Sequence, residues 1–204
     1  MGDHAAEQAV IDFLCRPARA HALVGHGGRA PQRLATSRPW SADAATVEFL
    51  KERAVLGQRL YAVGFDADHV RHGLTHMTML VRAERLRGGW TARSMSGVSG
   101  PAELPPTEPR VKLGGSWGHF GFCGGGPLYA AGAEVERVRV RFANGVELDD
   151  DTEGGCVLFY TDTPVERPDA TVELLDRRNE IVSRFEWPWA RDLPDALRAR
   201  IPKG

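Results

Sequence analysis

Apolar and polar positions along this chain mark a short helical start followed by many extended segments. From Asp3 to Cys15, Ala6, Ala9, Val10, Phe13 and Leu14 recur at helical spacing and Arg16-Pro17 stops the run. A short amphipathic helix with one face to bury is predicted there. Residues 16–40 are rich in Gly, Arg and Pro and read as an irregular connection. A second helix is predicted from Ser41, whose hydroxyl suits an N-cap, with Ala44, Val47, Phe49, Leu50 and Ala54 as its apolar stripe and Gly57 as its stop. Strands follow at Leu60–Phe65, turned by Asp66-Ala67-Asp68, then at Thr75–Glu84 and Trp90–Met95, the last two joined by Arg87-Gly88-Gly89.

Residues 97–110 are dense in Gly and Pro, with Pro105-Pro106 at the centre, and mark the best boundary. Beyond it the pattern is legible. Val138, Val140 and Phe142 alternate with Arg137, Arg139 and Arg141, the period-two signature of a half-buried strand with a basic outer face. Asn144-Gly145 leads into Val146-Glu147-Leu148, the strongest hairpin signal in the chain, with a type I′ turn expected. Cys156–Tyr160 is a continuous apolar run suited to a central strand buried on both faces. Ala170, Val172 and Leu174 alternate again, Asp176 to Glu180 turns the chain, and Ile181–Trp187 closes a second hairpin. Strands at intervals of about ten residues with turn chemistry between them suggest a β-sandwich.

The fold class expected is therefore α+β, mostly β: N-terminal helices plus an antiparallel meander over residues 1–100, a Pro/Gly-rich connection over 101–110, an immunoglobulin-like antiparallel β-sandwich over 111–190, and a C-terminal tail over 191–204. The 204 residues suffice for a core without disulfide or metal scaffolding.

Charge changes this picture little. The net charge of −1 argues against general affinity for nucleic acid or anionic membranes. Residues 1–100 hold 13 basic and 9 acidic side chains and six of the seven histidines, whereas residues 101–204 hold 13 basic and 18 acidic. Screening makes that asymmetry a weak hint of a partner. No window is apolar enough for a membrane-spanning helix, and the start Met-Gly-Asp-His does not read as a secretory signal or, with Ala6 at its sixth position, as a myristoylation site. Cys15, Cys123 and Cys156 are an odd count without CxxC spacing, which points to thiols in a reducing cytoplasm; a Cys123–Cys156 bridge requires Cα atoms within about 7 Å. Lysine occurs only at 51, 112 and 203, the arginine-heavy habit of a GC-rich bacterial genome.

Several motifs resemble chemistry but lack its context. Gly114-Gly115-Ser116-Trp117-Gly118 matches the G-x-S-x-G nucleophile elbow, yet no helix pattern follows and no histidine occurs after His119. Gly25-His26-Gly27-Gly28-Arg29-Ala30 fits a dinucleotide-binding spacing, but Pro31 and Pro39 interrupt the helix it requires. His69, His72 and His76 form the best metal candidate, since three imidazoles can hold zinc with one position open. Their predicted place in a hairpin loop does not by itself converge the rings. Asp149-Asp150-Asp151-Thr152-Glu153-Gly154 imitates the start of a calcium loop, but Tyr160 stands where the bidentate glutamate belongs; a solubilising acidic hairpin that resists edge pairing is the simpler reading. Trp117, Trp187 and Trp189 would offer stacking surfaces for a ligand or partner if exposed, and core packing if not.

The leading expectation is a non-catalytic interaction or structural protein of a bacterial cytoplasm, with a protein partner and no cofactor. Its rivals are a metalloenzyme using the histidine cluster and a small-ligand or carbohydrate-binding domain using the tryptophans.

Overall fold

The structure, a computed structural model, describes residues 4–16, 40–69, 73–95, 107–165 and 169–187. Packing divides the chain into two units, Met1–Ala102 and Glu103–Gly204. The described residues are mostly strand, with one α-helix and antiparallel sheets throughout. None of their helices is long and apolar enough to cross a membrane.

In the first unit, α1 (His4–Cys15) buries Ala6, Val10 and Leu14, the i, i+4, i+8 stripe that the periodicity predicts. The sheet beneath it contains β1 (Trp40–Ala42), β2 (Glu48–Val55), β3 (Gln58–His69), β4 (Gly73–Leu86) and β5 (Gly89–Ser94). The order across it is β1-β3-β4-β5, and β2 also pairs with β3, so β1 and β2 form one broken outer row. Alternate residues Tyr61, Val63, Phe65 and Ala67 of β3 and Met77, Met79, Val81 and Ala83 of β4 meet the helix stripe in one core. Each fully buried aliphatic or aromatic side chain there contributes roughly 1.5–3 kcal/mol.

The predicted second helix is absent. Ser41 begins no helix: residues 40–42 are β1, Ala44–Thr46 form a single 3-10 turn, and residues 48–55 are β2. Three hydrogen bonds hold the interruption, one within it and two to β3. Asp43 Oδ1 accepts from the Ala45 N–H at 2.9 Å, the Asp43 N–H donates to the Asp66 carbonyl at 2.9 Å, and the Asp66 N–H donates to Thr46 Oγ1 at 2.8 Å. Apolar spacing at 44, 47, 50 and 54 fits a helix, but Thr46, Val47, Phe49 and Val55 favour a pleated surface, and a long partner strand was available. Gly57 ends no helix either. It shares a two-residue hairpin turn with Leu56, and both take positive φ, 30° at Leu56 and 77° at Gly57. Nor do Asp66-Ala67-Asp68 turn the chain: β3 continues to His69, with Ala67 in the core and Ser41 opposite Asp68.

The second unit comprises β6 (Arg110–Val111), β7 (Gly114–Gly118), β8 (Gly121–Tyr129), β9 (Arg137–Phe142), β10 (Glu147–Asp151), β11 (Cys156–Thr161), β12 (Ala170–Leu175) and β13 (Ile181–Trp187). One sheet has the order β10-β9-β12-β13; the other has β11-β8-β6, with β7 also on β8. Both sheets feed one core, including Val138, Val140, Val172 and Leu174 from the first and Phe122, Val157 and Phe159 from the second. Phe122 on β8 crosses between them, with its ring 5.0 Å from Phe142 and 5.7 Å from Trp187. This is a two-layer antiparallel arrangement.

Two details differ from the expectation. The Asn144-Gly145 hairpin forms, but only Gly145 takes positive φ, at 84°. The Gly145 N–H donates to the Phe142 carbonyl at 2.9 Å, so this is a type I turn closed by a glycine bulge, not a type I′ turn. β11, expected as a central strand, ends its sheet yet is buried on both faces. Its exposed ladder is partly covered, since the Leu158 N–H donates to Asp150 Oδ2 at 2.6 Å.

Candidate functional site

The most distinctive surface lies at one end of the first sheet. The β2–β3 turn at Leu56-Gly57 and the β4–β5 turn at Arg87-Gly88 sit side by side there, because Gln58 faces Glu84 in register. Ala54, Val55, Leu56, Gly57, Gln58, Arg59, Arg85 and Trp90 enclose a shallow cleft of about 300 Å³. Trp90 stands opposite Arg85 on the paired strands and packs partly against the core, so its indole is fixed while one part stays open. Leu56 is 81% exposed on the β2–β3 turn tip, while Leu86, the last residue of β4, is 56% exposed on the sheet face opposite Arg85 and Trp90. The backbone at Leu56 is left-handed, a conformation that costs a leucine on the order of 1–2 kcal/mol. Asn or Gly would serve such a turn better. Folding alone does not explain a large, exposed, strained apolar side chain here.

The local charge is uneven. Arg59 Nη1 lies 3.0 Å from Glu52 Oε1, and Glu84 takes Arg82 and Arg93. Arg85 and Arg87 are exposed and form no ion pair among the described residues. The cleft therefore combines the apolar Ala54, Val55 and Trp90 with the polar Gln58 and Arg59, and carries a surplus of positive charge on one rim.

Near the opposite end of the sheet, roughly 26 Å away along β3, His76 meets Asp66. They are cross-strand neighbours, with Nδ1 2.9 Å from Oδ1. A Cβ at Gly64 would come 3.2 Å from His76 Nε2, so the bare glycine lets the imidazole lie across the strand. His69 belongs to β3 through its backbone, but its side chain and all of His72 fall outside the described residues. Among the described residues, no three His, Cys, Asp or Glu side chains gather as metal ligands.

The acidic run resolves into separate structural tasks. Asp149 pairs with Arg139 at 3.0 Å, Asp150 turns into the core to accept the Leu158 amide, and Asp151 Oδ1 accepts from the Glu153 N–H at 3.0 Å. On the outer face of the β9–β12 sheet, Glu173 is 1% exposed beneath three guanidiniums. Arg184 approaches it to 2.6 Å, Arg141 to 3.3 Å and Arg139 to 3.9 Å. Arg141 also holds Glu147 at 2.6 Å, and that hydrogen bond, reinforced by the charges of Arg141 and Arg139, lowers the Glu147 carboxyl below its ordinary pKa. The same bond raises the guanidinium of Arg141.

Trp187 is only 7% exposed and packs edge-on to Phe122, so it presents no face for stacking a ligand. Trp117 is half-buried on β7 against the same core, and Trp189 lies outside the described residues. The G-x-S-x-G run is the strand β7, so Ser116 occupies no strand-to-helix turn. The strand register sets Cys156 opposite Pro127 and Cys123 opposite Tyr160. Four residues of offset, about 13 Å, keep the two thiols from bridging. Cys15, at the end of α1, has its thiol pKa raised by burial and then by Asp12 and Asp43.

Sequence reading passed over Leu56, Arg85 and Trp90 as site residues. The Leu56-Gly57 pair carries a hairpin signal, but only if the preceding residues are read as a strand. No family model, no curated protein and no solved structure matches the chain.

Proposed function

We propose that this chain is a non-catalytic protein-interaction protein of a bacterial cytoplasm, with a partner docking at the hairpin end of its first unit. The exposed, left-handed Leu56 at the lip of a cleft walled by Trp90 carries the reading. Strained backbone positions concentrate where function requires them, and rigid aromatic anchors beside open apolar side chains are the usual makings of an interface hot spot. The acidic groups most suggestive of chemistry, by contrast, are engaged in the fold: Asp150 on a backbone amide and Glu173 under three arginines.

The second unit fits the role of an immunoglobulin-like scaffold. If β6 and β7 count as one broken first strand, strands one, two and five form one sheet and strands four, three, six and seven the other. That matches the connectivity of immunoglobulin-type sandwiches except that the fourth strand sits on the opposite sheet from the one it joins in antibody constant domains.

Site-specific photocrosslinking in native cells tests the docking reading. A crosslinker at Leu56 should capture one discrete protein species, the capture should disappear with Trp90→Ala, and a crosslinker at exposed Glu180 should not reproduce it. Equal adducts at both positions, or none at Leu56, would overturn it.

A second reading rests on the 2.9 Å contact between His76 and Asp66, close in sequence to His69 and His72. It assigns a metal-dependent hydrolase or related metalloenzyme. Zinc stoichiometry of untagged protein decides it, since metal-free protein that gains no thermal stability from added zinc would dispose of it.

A further inference from the structure

We infer that the cleft between the two hairpin turns takes an acidic segment of a partner protein, anchored by one large apolar side chain. The inference rests on the docking reading and specifies the chemistry of what docks.

Three observations carry it. First, the apolar part of the site extends beyond the cleft. Trp90, Ala54 and Val55 line the depression, and Leu56 stands at its lip with 81% of its surface exposed. A small molecule within about 300 Å³ would leave much of Leu56 in water, whereas a polypeptide segment lying across the turn would cover it. Second, the charges are unequal. Glu52 satisfies Arg59, whereas Arg85 and Arg87 are exposed and unpaired among the described residues. Carboxylates flanking the anchor would complement that rim, adding specificity and a faster encounter more than raw affinity. Third, the identity of residue 56 opposes the needs of its turn. Both central positions of the Leu56-Gly57 turn have positive φ, where Asn-Gly is the favoured pair. A leucine held in that geometry projects from the lip at the expense of local stability, as expected of a side chain retained for contact.

This makes Leu56→Asn an unusual probe. The substitution should raise the thermal midpoint of the full chain, because asparagine relieves the turn and removes exposed apolar surface, while weakening binding. A residue serving the fold alone would move both readouts together.

The experiment is selection of random twelve-residue peptides displayed on phage against the immobilised full-length protein, followed by fluorescence anisotropy with the enriched peptides. Enriched sequences should combine Leu, Phe or Met with neighbouring Asp or Glu. Their affinity should fall about tenfold or more with Leu56→Asn and with Arg85→Glu, and should weaken as salt is raised. Peptides that lose binding with Leu56→Asn but show no acidic preference and no response to Arg85→Glu would overturn the acidic assignment and leave the docking reading intact. No enrichment, or binding indifferent to Leu56→Asn and Trp90→Ala, would overturn both.

Discussion

The two units differ in how far their charges are committed to the fold. In the second, carboxylates are structural: Glu173 is buried under three guanidiniums, and Asp150 reaches from β10 to the backbone of β11. In the first, Glu84 is likewise held by Arg82 and Arg93, but other charges are left at the periphery. Asp66 and His76 pair on an open surface, and Arg85 and Arg87 stand free of carboxylates among the described residues. A charge engaged on all sides fixes geometry, whereas one left open can be answered by something else. The contrast separates a unit whose polar groups are committed to its own architecture from one that leaves part of its charge unanswered among the described residues.

Glu173→Ala tests that contrast most severely. Removing a buried carboxylate from three cations should cost about 3 kcal/mol, read as faster amide exchange across Ala170–Leu175. Asp150→Ala comes next. It strips the Leu158 amide of a charged acceptor in a buried strand and should cost about 2 kcal/mol, visible as lost protection in Cys156–Thr161. Asp66→Ala, at an exposed pair, should cost less than about 1 kcal/mol. If it costs as much as Glu173→Ala, the distinction between the units fails.

Acid titration gives the finest test. Glu147 has a lowered pKa in the folded chain, so its contribution is present above the ordinary glutamate range and is lost as pH falls through the folded value. Glu147→Gln should therefore flatten the acid side of the stability profile slightly and leave neutral behaviour nearly unchanged. A variant steeper than the parent in acid would contradict the role given to Arg141.

The second unit was the more legible in sequence, for a physical reason. Its strands β9, β12 and β13 each carry a largely apolar face and a largely polar one, so period two survives in Arg137–Phe142, in Ala170–Leu175 and, less cleanly, in Ile181–Trp187. The first unit misled where its pattern was ambiguous. Residues 44–55 carry apolar side chains at spacings that a helix also satisfies, and only the length of β3 opposite them decides for a strand. That misreading concealed the candidate site, because a strand at 48–55 turns Leu56-Gly57 from a helix stop into a hairpin tip. Burial was equally out of reach: sequence cannot distinguish Trp187, locked against Phe122, from Trp90, half open beside Arg85. The role of Asp150 was hidden because an aspartate between two others gives no sign that it alone turns inward.

The broken outer rows have a consequence for how copies of this chain meet. β1 and β2 run along one side of β3 with a 3-10 turn between them, and β6 and β7 run along one side of β8 with Lys112-Leu113 between them. A strand arriving from another molecule would find donors and acceptors in phase for a few residues and then lose step. Val182 interrupts the register of β13 in a similar way, and the Asp150 carboxylate occupies a donor on β11. A molecule built so largely of ribbon thus offers few straight templates for fibril growth.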